Sequence, residues 1–396
     1  MRNNRSLLTF SLIIYIAYSL QGILFQSGSL LTQGLLLLFL LMGAWGLINM
    51  IIQSTPNPRF VKVWAVFFFL LTITYIISPK TVYGAAVESI GTATTFGQYK
   101  NICFVILSFF AMYYFGRRSK VTDKYLFVLG IVLVLTAILR YFYSLQILQL
   151  ESTREEFQNN AAYCIVAIIP FIPFLFKQKR MKLLAGVLSI VLIGLVLNAA
   201  KRGAIVSLIV ALGFTAIYLL RRSKMKPFNQ FMLIALVVGV AAFMYYFSLQ
   251  NEFLMDRIDD TREGNIGTRE VAYAMLWQHW VDADIFHQIF GYGLMQTVNV
   301  WGNTAHNDWL ELLTDNGVVG VVVYLLFFIY LFKYIRRMSN NPTLQLGAYL
   351  ATIILLVKTL FSMGYTDFVN VPLVLAIGLF VGRNESEKNN LQAVRP

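Results

Sequence analysis

Charged side chains are scarce in this sequence, at 13% of 396 residues, which is about half the share usual in a soluble domain. Histidine occurs three times and cysteine twice, and the 19 acids are outnumbered by 32 lysines and arginines. The low charge excludes an ordinary water-soluble globule. The two cysteines, Cys103 and Cys164, lie in apolar stretches; a disulfide framework is excluded, and both read as small buried apolar side chains. His279, His287 and His306 are 8 and 19 residues apart, which is no zinc spacing. Gly-rich nucleotide loops and nucleic-acid modules are absent as well. The net charge of +13 therefore calls for an explanation other than a nucleic-acid partner. No metal and no cofactor is expected.

What the sequence has in abundance is apolar length. Hydrophobic residues make up 58% of the chain, mean hydropathy is +0.66, and runs near 20 residues recur throughout. One such run crosses roughly 30 Å of hydrocarbon as a helix. The pattern predicts an all-α polytopic membrane protein with about twelve transmembrane helices, at 6–25, 29–52, 60–78, 98–116, 124–148, 159–176, 182–200, 203–220, 229–249, 317–335, 343–362 and 368–383. The first run lacks a small-residue cleavage site and reads as a retained helix. No repeat or flexible linker divides the chain, so residues 1–396 are expected to form a single integral membrane domain. Most connections are short. The exception is 250–316, a large loop between helices 9 and 10 that is too polar to cross a bilayer.

Basic residues orient such a chain, because they are retained on the cytoplasmic side. With the N-terminus placed inside, 22 of the 32 lysines and arginines fall in cytoplasmic stretches and only Asp123, Glu385 and Glu387 of the 19 acids do. Both termini are then cytoplasmic, and 250–316 is extracytoplasmic. Lys201-Arg202 breaks the rule. This pair lies at the outer end of a hairpin, between apolar runs, where cations are costly; it suggests an anion site at the outer membrane face.

The long outer loop is the natural place for function. Thr268 reads as an N-cap for a helix running through Trp277, with Arg269 in its first turn. Ala272, Leu276, Trp280 and Ala283 recur at helical spacing, which fits an amphipathic helix lying on the outer leaflet and implies contact with membrane lipids. Gly291-Tyr292-Gly293 breaks the chain. A short helix capped by Thr304 and closed by Asn316-Gly317 then places His306 in a first turn, where the positive helix end keeps imidazole neutral and able to accept a proton. Asp308 or Glu311 could orient it. Lys358, near the outer end of its helix, can pair with Asp367 or help to hold phosphate. Arg154, with Asn159 at the start of helix six, is a further candidate for substrate contact.

His306-Asn307, nine residues, then Gly317-Val318-Val319-Gly320 resembles the His-[Asn/Ser/Gln]-x9-Gly-x-x-[Gly/Thr/Tyr] pattern of bacterial O-antigen ligases. These enzymes share a superfamily with O-antigen polymerases and some protein O-oligosaccharyltransferases. The order around the motif is similar too: Lys201-Arg202 at an outer hairpin, Gly267-Thr268-Arg269 opening the loop, Gly291-Tyr292-Gly293, then the histidine, with Asp367 just outside helix eleven. One departure is Val206, where ligases often carry leucine four residues after the hairpin arginine. Polymerases typically have two sizeable outer loops; this chain has one.

The resemblance implies transfer of a glycan from undecaprenyl pyrophosphate to an acceptor hydroxyl at the outer face of the bacterial cytoplasmic membrane, in ligases a sugar of the lipid A core. In that scheme Arg202 and Arg269 bind the pyrophosphate and stabilise the leaving group. His306 takes the acceptor proton as C1 is attacked, which inverts the anomeric centre without a metal. Lys201, Asn307, Asp308, Asp367, Lys358 and Arg154 would line the substrate site, and Gly317 and Gly320 would let a neighbouring helix approach. A polymerase or protein-glycosylating subtype remains open. So does a lipid-linked glycan transporter, which would instead put charges in mid-membrane and paired broken helices in both halves.

Overall fold

The computed structural model describes residues 4–53, 57–78, 94–151, 159–222, 227–249, 255, 268–338 and 341–393. Arg154 and the first part of the large loop lie outside the described residues. Every stretch expected to span contains helix, the first only as far as Ser19: α1 (Arg5–Ser19), α2 (Leu30–Ile52), α3 (Arg59–Ile77), α4 (Thr95–Arg117), α5 (Asp123–Glu151), α6 (Ala162–Ile168), α7 (Ile172–Lys177), α8 (Lys182–Asn198), α9 (Arg202–Arg222) and α10 (Pro227–Leu249). In the large loop come α11 (Thr268–Val281), α12 (Ile285–Phe290) and α13 (Gln296–Trp301), followed by α14 (Asp308–Arg336), α15 (Pro342–Phe361) and α16 (Val371–Ala393). No strand occurs among the described residues. Eight of these helices are long and apolar enough to cross a membrane, with shorter apolar helices at Arg5–Ser19, Ala162–Lys177 and Lys182–Asn198. The protein is thus an all-α polytopic membrane protein.

Local sequence explains the irregularities. The stretch between α6 and α7 tightens to a 3₁₀ turn at Ile169–Phe171, where Pro170 and Pro173 withhold two N–H donors from the helical ladder. α14 carries a break at Gly317, with φ 61° and ψ −162°, so that a short outer helix of Asp308–Asn316 runs into the apolar span.

α4 is the centre of the bundle, with an unbroken buried run from Phe104 to Gly116. Glycines allow its neighbours to close on it. A Cβ at Gly378 or Gly382 of α16 would lie 2.6 Å from the carbonyl oxygen of Phe109 or Tyr113, and one at Gly46 of α2 would lie 2.5 Å from that of Phe110. Small residues four apart are the usual device for close helix contact in membranes. The outer surfaces are the reverse of a soluble protein's: Leu37, Leu41, Trp45, Ile48 and Ile52 form an exposed stripe along α2, which suits hydrocarbon and not water.

The two ends differ chemically. At one end Arg383 pairs with Asp123 at 2.8 Å, Lys177 also pairs with Asp123, and Arg222 is bonded to Gln345. These are the ends expected in the cytoplasm. The outer loop helices and the N-terminus of α14 sit at the other. An aromatic ladder joins α3 to α14, with Trp64 stacked on Phe327 at 4.2 Å and Phe67 on Tyr324 at 4.9 Å. It ends at the Tyr324 hydroxyl, which donates to Asp308 at 2.9 Å and so fixes the base of the loop.

Candidate active site

Three separate parts of the chain converge on the C-terminal end of α15, the end expected to face outside. Trp309 Nε1 donates to Thr359 Oγ1 at 3.0 Å, Asn307 Nδ2 to the Leu360 carbonyl at 3.3 Å, and Arg269 Nη1 to the Phe361 carbonyl at 3.3 Å. The last carbonyls of a helix are its negative end and attract donors and cations. Gly203 meets the same place from α9, since a Cβ there would lie 3.4 Å from Phe361 Cβ. Lys201-Arg202, Arg269, and His306-Asn307 are therefore brought together around residues 359–361, although they are up to a hundred positions apart in sequence.

Arg202 is the first residue of α9, a helix end that disfavours a cation and favours an anion. Immediately before the pair, Ala200 holds φ 48°, and His306 holds φ 51°. Left-handed backbone at non-glycine residues costs of order 1–3 kcal/mol and is concentrated at functional sites. Of the three such residues among those described, His306 lies in this cluster and Ala200 borders it.

His306 does not stand in a first helical turn. Asn307 is the N-cap of α14, its side chain accepting from the N–H groups of Trp309 and Leu310, and His306 precedes it. Thr304 caps nothing there, because Asn307 lies next to the first helical residue and can bend back on it. The neutrality of the imidazole has a different origin from the helix end. Burial lowers its pKa from 6.5 to about 4, the positive charges of Arg269 and then Lys201 push in the same direction, and Asp367 opposes them.

Neither expected carboxylate partner touches the histidine. Asp308 is 1% exposed and accepts from Gly364 N at 2.7 Å, Tyr365 N at 3.3 Å and the Tyr324 hydroxyl. It ties α14 to the 363–367 segment. Glu311 is equally buried and caps Ala305 N at 3.2 Å. Asp315 binds the N–H groups of Met295 and Gln296, and so holds the start of α13. Three acids within one short helix are thus spent on folding the loop.

Lys358 and Asp367 do pair, at 2.9 Å, with the lysine side chain 2% exposed. Tyr163 was not legible as part of this arrangement. Its ring lies 4.3 Å from Lys358 Nζ, a cation–π contact. Its hydroxyl bonds to Ser362 and occupies the space a Cβ at Gly203 would need, 2.2 Å away. A tyrosine inside an apolar span carries no sequence signal beyond its position near the outer end.

Gly317 lets another helix approach, as expected, whereas Gly320 meets only its own helix. A Cβ at Gly317 would lie 2.4 Å from the Ile289 carbonyl, and one at Gly320 would lie 2.4 Å from Asn316 Cβ. The helix that approaches Gly317 is α12 of the large loop. The stripe Ala272, Leu276 on α11 likewise faces inward, at 3% and 0% exposure, and not towards lipid. His279 and His287 stand apart from His306, flanking the Tyr292 ring at 4.7 and 4.2 Å. Among the described residues, no three of His, Cys, Asp or Glu gather so as to hold a metal ion.

A multi-pass membrane protein with a cationic site at one end of its bundle, around a half-buried neutral histidine, is the class these features define. A family model described as O-antigen ligase matches residues 187–325, about a third of the chain, which is consistent with membership of the O-antigen ligase and polymerase superfamily. The matched stretch contains Lys201, Arg202, Arg269, His306, Gly317 and Gly320, and excludes Lys358 and Asp367. A comparison with curated proteins finds no match.

Proposed function

We propose that this protein transfers a glycan from undecaprenyl pyrophosphate to an acceptor hydroxyl at the outer face of the bacterial cytoplasmic membrane, as an O-antigen ligase joining O-antigen to lipid A-core. The observation that carries the reading is the convergence of His306, Arg269 and the Lys201-Arg202 pair on the outer end of α15. The donor requires cations for its pyrophosphate and the acceptor requires a base, and both are supplied in one place. Arg269 and Arg202 bind the pyrophosphate oxygens and take up the charge that develops as the C1–O bond breaks. His306, uncharged, accepts the proton of the attacking hydroxyl as the new glycosidic bond forms at C1. Pyrophosphate leaves on its lipid, and the anomeric centre inverts. Asp367, anchored by Lys358, favours the charged form of the histidine electrostatically and would stabilise the imidazolium that results.

The donor itself raises the basicity of His306. Part of the histidine's low pKa comes from Arg269 and Lys201, and a bound pyrophosphate neutralises both, so the imidazole becomes a stronger base only when the donor is present. A transporter reading fits less well, because the site is gathered at one end of the bundle and not in mid-membrane. Reconstitution tests the assignment. The purified protein, given prenyl-linked O-antigen and lipid A-core, should form glycan-bearing lipid A-core in the absence of nucleotide. Lengthened prenyl-linked glycan as the product would make it a polymerase, and movement of unaltered donor between leaflets would make it a transporter.

A further inference from the structure

α12 places none of its side chains in the protein interior. Four of its six residues are large and apolar: Ile285 is 70% exposed, Phe286 60%, Phe290 50% and Ile289 38%. Trp277 and Val281 of α11, held against it by the Trp280 Nε1 hydrogen bond to the Gln288 carbonyl at 3.1 Å, add two more exposed apolar side chains. A contiguous apolar patch of this kind on a water-facing loop marks an interaction surface.

Its height in the molecule indicates what covers it. The α12 backbone is clamped to α14, where a Cβ at Gly317 would lie 2.4 Å from Ile289 and one at Gly291 would lie 2.3 Å from Asn316 N. Gly317 is also where the apolar part of α14 begins. Directly below it, Val318, Val322, Leu325 and Ile329 are exposed at helical spacing, on a helix apolar enough to span a membrane. α12 therefore lies at the level where the lipid-facing surface of α14 starts, and the apolar surface of the loop continues that of the span. Charge points the same way. Asp282 and Asp284 border the patch, no lysine or arginine occurs between 270 and 300, and His287 is stacked on Tyr292 and paired with Asp284. Among the described residues of this patch nothing attracts an anionic headgroup, whereas acyl chains beneath zwitterionic headgroups suit the whole face.

We propose that α12, with Trp277 and Val281, is inserted in the leaflet on the site's side of the membrane, its apolar face among glycerophospholipid acyl chains. Through Gly291 and Gly317 this anchor sets the height of the first turn of α14, and with it of His306, above the membrane. The inference rests on the membrane placement of the spans and not on the transfer reaction, so its test needs no glycan.

The full-length protein is placed in nanodiscs of phosphatidylcholine with a bimane label at Phe286→Cys, at Ile289→Cys in a second variant, and at Asp282→Cys as the water-facing reference; unsubstituted protein carrying Cys103 and Cys164 is the labelling blank. Brominated acyl chains should quench most of the fluorescence at 286 and 289 and little at 282. Aqueous iodide should do the opposite, and replacing phosphatidylcholine by phosphatidylglycerol should not deepen the insertion. Iodide quenching at 286 and 289 equal to that at 282 would overturn the proposal. So would protection from both quenchers in a particle holding two copies, which would make the face a contact between copies of this chain.

Discussion

Replacing Arg269 by glutamine should raise the pKa of His306, and the size of the rise can be worked from the site. The ring is held at about 4 instead of 6.5, first by burial, then by Arg269, then by Lys201, against Asp367. Arg269→Gln removes the second cause and leaves the first, so the new value should lie between those limits. A neighbouring unit charge moves a pKa by roughly one unit or more, which corresponds to about 1.4 kcal/mol per pH unit. We expect a rise of about one pH unit, to near 5. Transfer cannot report this, because Arg269 is itself proposed to bind the donor. Diethylpyrocarbonate can, since it carbethoxylates neutral imidazole only. The rate of modification of the His306 peptide, followed by mass spectrometry against pH, titrates this histidine apart from His279 and His287. Wild type should half-titrate near pH 4 and Arg269→Gln about one pH unit higher. Inorganic pyrophosphate should shift wild type upward and the variant less. A wild-type midpoint near 6.5, or no movement in Arg269→Gln, would refute the electrostatic account of the base.

Arg202→Ala and Arg269→Ala should abolish transfer while leaving the protein level in the membrane unchanged, and Arg202→Lys and Arg269→Lys should restore little, because an ammonium cannot reproduce the guanidinium's bidentate fork; full activity in the lysine variants would reduce both to bulk charge. Gly317→Ala should lower the melting temperature in detergent, since the position combines φ 61° with a Cβ site 2.4 Å from Ile289, a strain of about 1–3 kcal/mol before any clash; an unchanged melting temperature would mean that the break in α14 is not needed. Cysteines placed at 120, 179 and 337 should react with impermeant reagent only from the cytoplasmic side, and one at 282 only from outside. A cytoplasmic signal at 282 would invert the orientation.

The spans were legible because hydrocarbon demands long apolar helices, and each of the twelve stretches contains helix in the structure, although the first ends at Ser19 and not near residue 25. The break at Gly317 was legible too, as Asn316-Gly317 is a familiar helix end. Less visible was which face of a loop helix turns inward. Ala272 and Leu276 looked like a lipid-facing stripe, yet they pack against the protein while Trp277 and Val281 are exposed, since a helix with apolar residues on two sides does not declare its partner. The cap at Asn307 instead of Thr304 turned on a choice between two good capping residues three apart. His306 and the arginines stood out by type and spacing. Their convergence depends on the carbonyls of Leu360 and Phe361, and backbone atoms carry no mark in a sequence. Tyr163 beneath Lys358, and Asp308 turned inward to Tyr324, arise from contacts between distant segments that no local pattern encodes.

The central claim is that His306 removes the proton of the acceptor hydroxyl. Purified His306→Ala and His306→Gln proteins, reconstituted with prenyl-linked glycan and acceptor, test it most directly when transfer and donor binding are measured on the same preparation. Loss of a general base costs typically about 10²–10⁴-fold in rate, so transfer should fall by that much while donor affinity stays near wild type and prenyl-linked glycan accumulates in cells. Transfer by His306→Ala at close to the wild-type rate would contradict the account and leave the histidine a structural residue.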